Sequence, residues 1–186
     1  MNKKPLPTTT GTLKPYRDKL KLKQKEVLFM GHVLTSHSVK MNPEKAKAVQ
    51  EMPKPEDVEG IQRINGFVNY LAKFLLGLAD VMEPLRQLTR RDTEWQWIEE
   101  QEKSFEEVKK LVTAAPILSY YDPKEELVIQ CDASQNGLGA ALLQKGKPIA
   151  YASRALTDTE TRYAQIEKEM LAIVFSLEKF HQYTLG

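Results

Sequence analysis

A single cysteine, Cys131, excludes an internal disulfide and a cysteine-rich zinc site, and fits a buried thiol in a reducing compartment. Histidine is scarce too: His32, His37 and His181 are spaced neither as zinc ligands nor as a base for Ser134. No apolar run approaches the roughly 20 residues that cross a bilayer. The opening MNKKPLPTTTG is basic but lacks a following apolar stretch, so no secretory signal is read there. There is no glycine-rich phosphate loop with its lysine, which argues against a nucleoside triphosphatase. The expected protein is soluble and intracellular, cytoplasmic or nuclear, with no membrane partner.

What is present fits a globular chain: 186 residues, 41% hydrophobic and 28% charged, enough for one ordinary domain or two small ones. The net charge of +2 is unevenly spread. Residues 1–40 hold nine Lys/Arg against two acids, a local +7 that leaves the remainder at −5. Such an arm attracts phosphates at long range, or is simply a solvated terminus.

Pro5, Pro7 and Pro15 argue against a regular element at the start, and Leu20, Leu22 and Val27 to Met30 suggest a short strand or hairpin running into Gly31. Asn42-Pro43-Glu44 caps a helix that Pro53 stops. A second helix starts near Asp57 and aligns Ile61, Ile64, Val68, Leu71 and Leu75 on one stripe. Trp95 and Trp97 share one face of an extended segment and anchor a small core, and Glu99 to Ala114 reads as an amphipathic helix closed by Pro116.

After Tyr121-Asp122-Pro123 the period becomes two. Leu127, Ile129 and Cys131 share a face, and the strand ends at Asp132-Ala133-Ser134. Leu138 to Leu143 and Pro148 to Ala155 give two more strands. A last helix, starting at Asp158 or Thr159, carries Tyr163, Ile166, Met170, Ile173, Val174, Leu177 and His181 along one stripe. That stripe is expected to face the core, with Leu171 and Phe175 away from it, making the helix unusually buried. The fold class is α+β: a small helical unit, then three antiparallel strands and a long helix.

Two carboxylates stand out. Asp132 ends an apolar strand, where a charge needs a partner or a metal. On the last helix Glu167 and Glu169 flank the apolar face on opposite sides, and periodicity does not choose between them. The chemistry that suits such oxygen donors is metal-assisted phosphodiester hydrolysis, in which paired divalent ions orient water and neutralise the leaving oxygen. Two carboxylates are a poor cage for two ions.

The ordered words LKLKQKEVLFMGHVLTSHSVK, MNPEKAKAVQEMPKP, NGFVNYLAKF, WQWIEEQEKSFEEVKKLVTAAPIL, VIQCDASQNGLGAALLQ and PIAYASRALTDTETRYAQIEKEMLAIVFSLEKFHQY, over roughly residues 20 to 186, resemble the reverse transcriptase–ribonuclease H region of gypsy-type LTR retrotransposon Pol polyproteins. The resemblance implies a basic arm over 1–18, a palm-end remnant with a primer-grip-like hairpin over 19–40, and a thumb over 41–92. It further implies a connection over 93–122 and the first part of an α/β ribonuclease H-like domain over 123–186. Phe29, Met30, Gly31 and His32 match the primer grip, and Lys19, Lys21, Lys23 and Lys25 are assigned with them to nucleic-acid binding. Asp132 matches the first metal-binding aspartate, and Glu169, in EKEML, matches the catalytic glutamate.

The family's polymerase aspartates are not in these residues, nor are the third and fourth ribonuclease H carboxylates that follow HQY in the family pattern. The implied cofactor is Mg2+, weakly held or not held by this chain alone. The implied partners are an RNA–DNA hybrid or duplex, the remaining Pol segments, or a protein covering an open sheet edge. The expectation is a fragment inactive by itself; the alternative is a non-catalytic nucleic-acid-binding or protein-interaction module co-opted from a retroelement.

Overall fold

The computed structural model describes residues 24–184. The 1–18 arm, Leu20, Leu22, Lys19, Lys21 and Lys23 lie outside the described residues. Strands β1 (Glu26–Phe29) and β2 (His32–Thr35) form a hairpin around Met30-Gly31, both with positive φ (48° and 70°), the conformation that a two-residue hairpin turn demands. β3 (Ser38–Met41) and the two-residue β4 (Leu118–Ser119) extend it to an antiparallel four-stranded sheet in the order β1-β2-β3-β4. The late arrival of β4 brings the chain back beside its beginning, giving the hairpin the larger sheet that it needs to be stable.

Between β3 and β4 run the helices. α1 (Pro43–Gln50) is capped by Asn42, whose side chain accepts from Glu44 N. α2 (Val58–Leu71) is capped by Asp57 and buries Ile61, Ile64, Val68 and Leu71, the stripe that the spacing predicts. A 3-10 turn (Ala72–Phe74) and two short helices, α3 (Leu78–Val81) and α4 (Glu83–Gln87), lead to α5 (Glu99–Thr113). Phe105, Val108 and Val112 of α5 join the α2 stripe, Leu118 and Val49 in one apolar core, with Trp95 and Trp97 against it.

The second sheet is β5 (Val128–Ala133), β6 (Gly137–Gln144) and β7 (Lys147–Ala155), antiparallel in that order. Lys145 and Gly146, both with positive φ, make the turn between β6 and β7. Buried Gln144 fixes the approach to β5: its amide donates to the carbonyls of Asp122 and Glu125 and its oxygen accepts from Asp122 N. The sheet leans on the helical unit through β7, which packs against the 3-10 turn, α3 and β4. At the junction Ser134 Oγ donates to Asp80 Oδ1, and a Cβ at Gly137 would lie 3.1 Å from both Ala79 Cβ and that carboxylate. A side chain there would need these neighbours to give by a few tenths of an ångström.

The last helix, α6 (Gln165–Lys179), with the short α7 (His181–Thr184) after it, corrects two expectations. It starts at Gln165, not at Asp158 or Thr159, because Glu160 is already taken. A 3-10 turn (Glu160–Arg162) occupies that stretch, where the Glu160 carboxylate receives both guanidinium nitrogens of Arg154 (2.8 and 3.1 Å) and Thr157 N (2.8 Å). These donors hold its pKa down to about 2 from an ordinary 4.5. A lowered carboxylate pKa adds stability that is present above the unfolded value and is lost as pH falls toward the folded one. The melting temperature should therefore drop between pH 4.5 and about 2, and Glu160→Gln should flatten that drop in a pH series of thermal melts.

The second correction concerns the face. Ile166, Met170, Ile173, Val174 and Leu177 are exposed, Ile166 at 69%, while Lys168, Ala172 and Ser176 are buried and Leu171 and Phe175 pack inward. Small residues explain the choice: Ala172 and Ser176 let α6 lie close to a sheet whose middle strand reads Gly139-Ala140-Ala141. A stripe of branched side chains would hold the helix farther off. None of the described helices is long and apolar enough to cross a membrane.

Candidate functional site

β5 presents its residues alternately. Ile129, Cys131 and Ala133 pack toward α6, so Gln130 and Asp132 look the other way, into a cavity of about 250 Å3 shared with Leu76, Gly77, Asp80 and Ser134. Asp132 stands opposite Gly139 in the ladder, its carboxylate exposed and accepting from Ala133 N at 3.0 Å. Asp132 is the last residue but one of β5, and its carboxylate stays in water where the sequence expectation has it leaving water. Its surroundings are open, without a basic partner among the described ion pairs.

The structure separates the two glutamates that periodicity left equal. Glu167 closes the start of α6, its carboxylate accepting from Ala164 N at 2.8 Å, and does nothing toward the sheet. Glu169 is half-buried, and its Oε1 accepts from Gln165 Nε2 at 2.7 Å. The same Gln165 nitrogen donates to Ala133 O at 2.8 Å, so one amide ties Glu169 to the residue next to Asp132. Buried Lys168 adds a second tie, donating from Nζ to Gln135 O at 3.2 Å. Sequence reasoning missed Gln165, Lys168 and Asp80. The signal was there for the first two: Gln165, Lys168, Ala172 and Ser176 recur at threes and fours, a polar and small-residue stripe competing with the larger apolar one.

Asp132 and Glu169 offer the hard oxygen donors that magnesium takes. Among the described residues no three His, Cys, Asp or Glu cluster as a metal cage, so the donors at hand do not by themselves fit a two-ion centre.

The primer-grip-like residues divide. Leu28, Phe29 and Met30 are exposed, Met30 at 74%, as is Lys25, while His32 turns inward beneath the turn. Its ring stacks on Tyr70 (5.4 Å, 12°) and tilts against Phe74 (5.3 Å). Burial, followed by the Lys73 charge, lowers the imidazole pKa below its usual 6.5, which keeps the ring neutral near pH 7.

Comparison with known proteins follows the same outline. Residues 97–186 match the family described as an RNase H-like domain found in reverse transcriptase. The Pol polyprotein of transposon 297 from Drosophila melanogaster is 39% identical over 181 residues, 95% of this chain and 17% of that protein. The polyprotein of transposon opus, from the same fly, is 35% identical over 87% of the chain and 18% of its own length. The chain thus spans less than a fifth of these relatives. Among solved structures, foamy viral protease–reverse transcriptase in complex with an RNA/DNA hybrid superposes with a TM-score of 0.76 at 27% identity, over 88% of this chain and 23% of that one. The same viral enzyme in complex with dsDNA gives 0.74 at 28%, over 88% and 35%. This run of similarity identifies the chain as part of the reverse transcriptase–ribonuclease H region of a retrotransposon Pol polyprotein.

Proposed function

We propose that this chain is the stretch of a retroelement enzyme that carries a nucleic-acid duplex from the primer-grip hairpin, past thumb and connection, toward the ribonuclease H centre. In this reading 19–40 is the palm end, 41–92 the thumb, 93–122 the connection and 123–186 the first part of the ribonuclease H domain. Asp132 and Glu169 are two of the metal-binding carboxylates of that centre. The observation that carries the proposal is the Gln165 bridge, which draws Glu169, and not Glu167, to the end of the Asp132 strand. The foamy viral neighbours solved with hybrid and with dsDNA support duplex as the partner. Bound magnesium would activate water and neutralise the phosphate oxygens. The chain's own part is to hold two donors at the strand end.

Because two carboxylates fall short of the donors that paired ions need, the 186-residue polypeptide is expected not to cleave the RNA strand of an RNA–DNA hybrid in magnesium or manganese. It should be indistinguishable from Asp132→Ala. Mixed with a separate polypeptide supplying the remaining carboxylates, the native chain should gain cleavage and the variant should not. Robust cleavage by the chain alone, lost in Asp132→Ala, would overturn the proposal of inactivity; complementation unaffected by the variant would remove Asp132 from the centre.

A second reading, a protein-interaction module, is favoured by a different observation. The outward apolar face of α6, together with β5, which pairs with β6 alone among the described residues, forms a surface suited to another protein or the remaining Pol segments.

A further inference from the structure

The Met30-Gly31 turn is tied to a helix forty residues further along the chain. Tyr70, near the end of α2, donates its hydroxyl to the Met30 carbonyl, at the tip of the β1–β2 hairpin. Beneath that bond its ring stacks on His32, which is backed by Phe74. The fit leaves no slack: a Cβ at Gly31 would overlap the Tyr70 hydroxyl, and Gly31 holds a φ of +70° that side chains resist. Its neighbour Met30 takes a positive φ as well. The His32 Nδ1 is buried without a hydrogen-bond partner, and the ring packs against Tyr70 and Phe74. Three contacts of different kinds therefore converge on one tyrosine, while the residues just before it in the turn, Phe29 and Met30, remain exposed.

We infer that Tyr70 is a positioning residue that latches the hairpin tip to α2, so that Phe29 and Met30 meet a duplex end as one rigid unit with the thumb-like helix. The inference rests on the duplex-binding reading for its purpose, but not for its geometry. Pairing with β3 holds β2 from His32 onward and stops short of Met30 and Gly31, and a tip that wandered relative to the helix could not register a strand terminus. The latch supplies the missing constraint through a bond, a stack and an excluded volume. Losing the bond alone should matter modestly; losing bond and stack should matter more.

The experiment compares the full chain with Tyr70→Phe, which keeps the stack, and Tyr70→Leu, which keeps neither. Hydrogen exchange of the amides in residues 28–34 should quicken about threefold to tenfold in Tyr70→Phe, the range of a single neutral hydrogen bond, and further in Tyr70→Leu. The His32 ring proton shifts should stay near native in Tyr70→Phe and move toward those of a free imidazole in Tyr70→Leu, a signature that general loosening of the fold does not produce in that order. With a recessed duplex carrying a fluorescent base at its 3′ end, the terminal-base signal per bound complex should fall in the same order, bound complex being measured separately by anisotropy. Unchanged exchange and unchanged His32 shifts in Tyr70→Leu would overturn the latch. A native chain that gives no anisotropy change with duplex would overturn the duplex-binding reading instead, leaving exchange and ring shifts to decide the latch.

Discussion

The native chain is expected to associate as its concentration rises, and Ile173→Asp to sediment as a monomer. Ile173 lies in the middle of the outward face of α6, with Ile166, Met170, Val174 and Leu177 exposed around it. An outward apolar face of this kind marks an association surface. A charge at its centre has to be stripped of water for any partner to dock, at a cost that apolar burial cannot offset. Since Ile173 is already 43% exposed, folding stability should change by only about 1 kcal/mol. The matching change on the other face, Phe175→Asp, should instead unfold the second sheet, because Phe175 packs against both of its apolar clusters. Sedimentation velocity and thermal melts of the two variants read the orientation of α6 directly: stability lost at Ile173 and retained at Phe175 would reverse the assignment of faces.

Phe74→Ala should cost about 3–5 kcal/mol, a large share of the roughly 5–15 kcal/mol that a domain has in total. Phe74 is fully buried on the 3-10 turn after α2, and three neighbours depend on it. Its ring backs His32, Lys73 Nζ sits 5.2 Å from its centroid, and the turn itself packs against β7 of the second sheet. The void left by alanine therefore borders both sheets, and rigid strands on two sides leave little room for collapse. Urea unfolding should show a lower midpoint with an unchanged slope. A loss below about 1 kcal/mol would mean that the site closes over the gap.

Local rules in the sequence carry much of this architecture. The Asn42 cap, the helix start near Asp57, the α2 stripe and the alternation around Cys131 each depend on neighbours within a few residues, and each stands as read. The place of Asp132 near the end of β5 follows from the same alternation, but its carboxylate is exposed and not withdrawn from water as the apolar strand suggests. The failures on α6 are of another kind. That helix has two candidate faces, and hydrophobicity selects the wider one, whereas the sheet accepts the one with Ala172 and Ser176 because β6 is small there. Its start was misread because Glu160 is drawn off by Arg154, a strand residue. Glu169 is distinguished from Glu167 only by Gln165 reaching a carbonyl 32 residues away, and Tyr70 reaches Met30 across 40. Spacing along the chain holds no record of such pairings.

Asp132 rides on an outer rung of its sheet, since β5 is laddered to β6 and to no other strand among the described residues. An outer rung is the first to fray, and the side chain at its end inherits that looseness. Any strand that docks alongside would stiffen the rung and steady the carboxylate in one stroke.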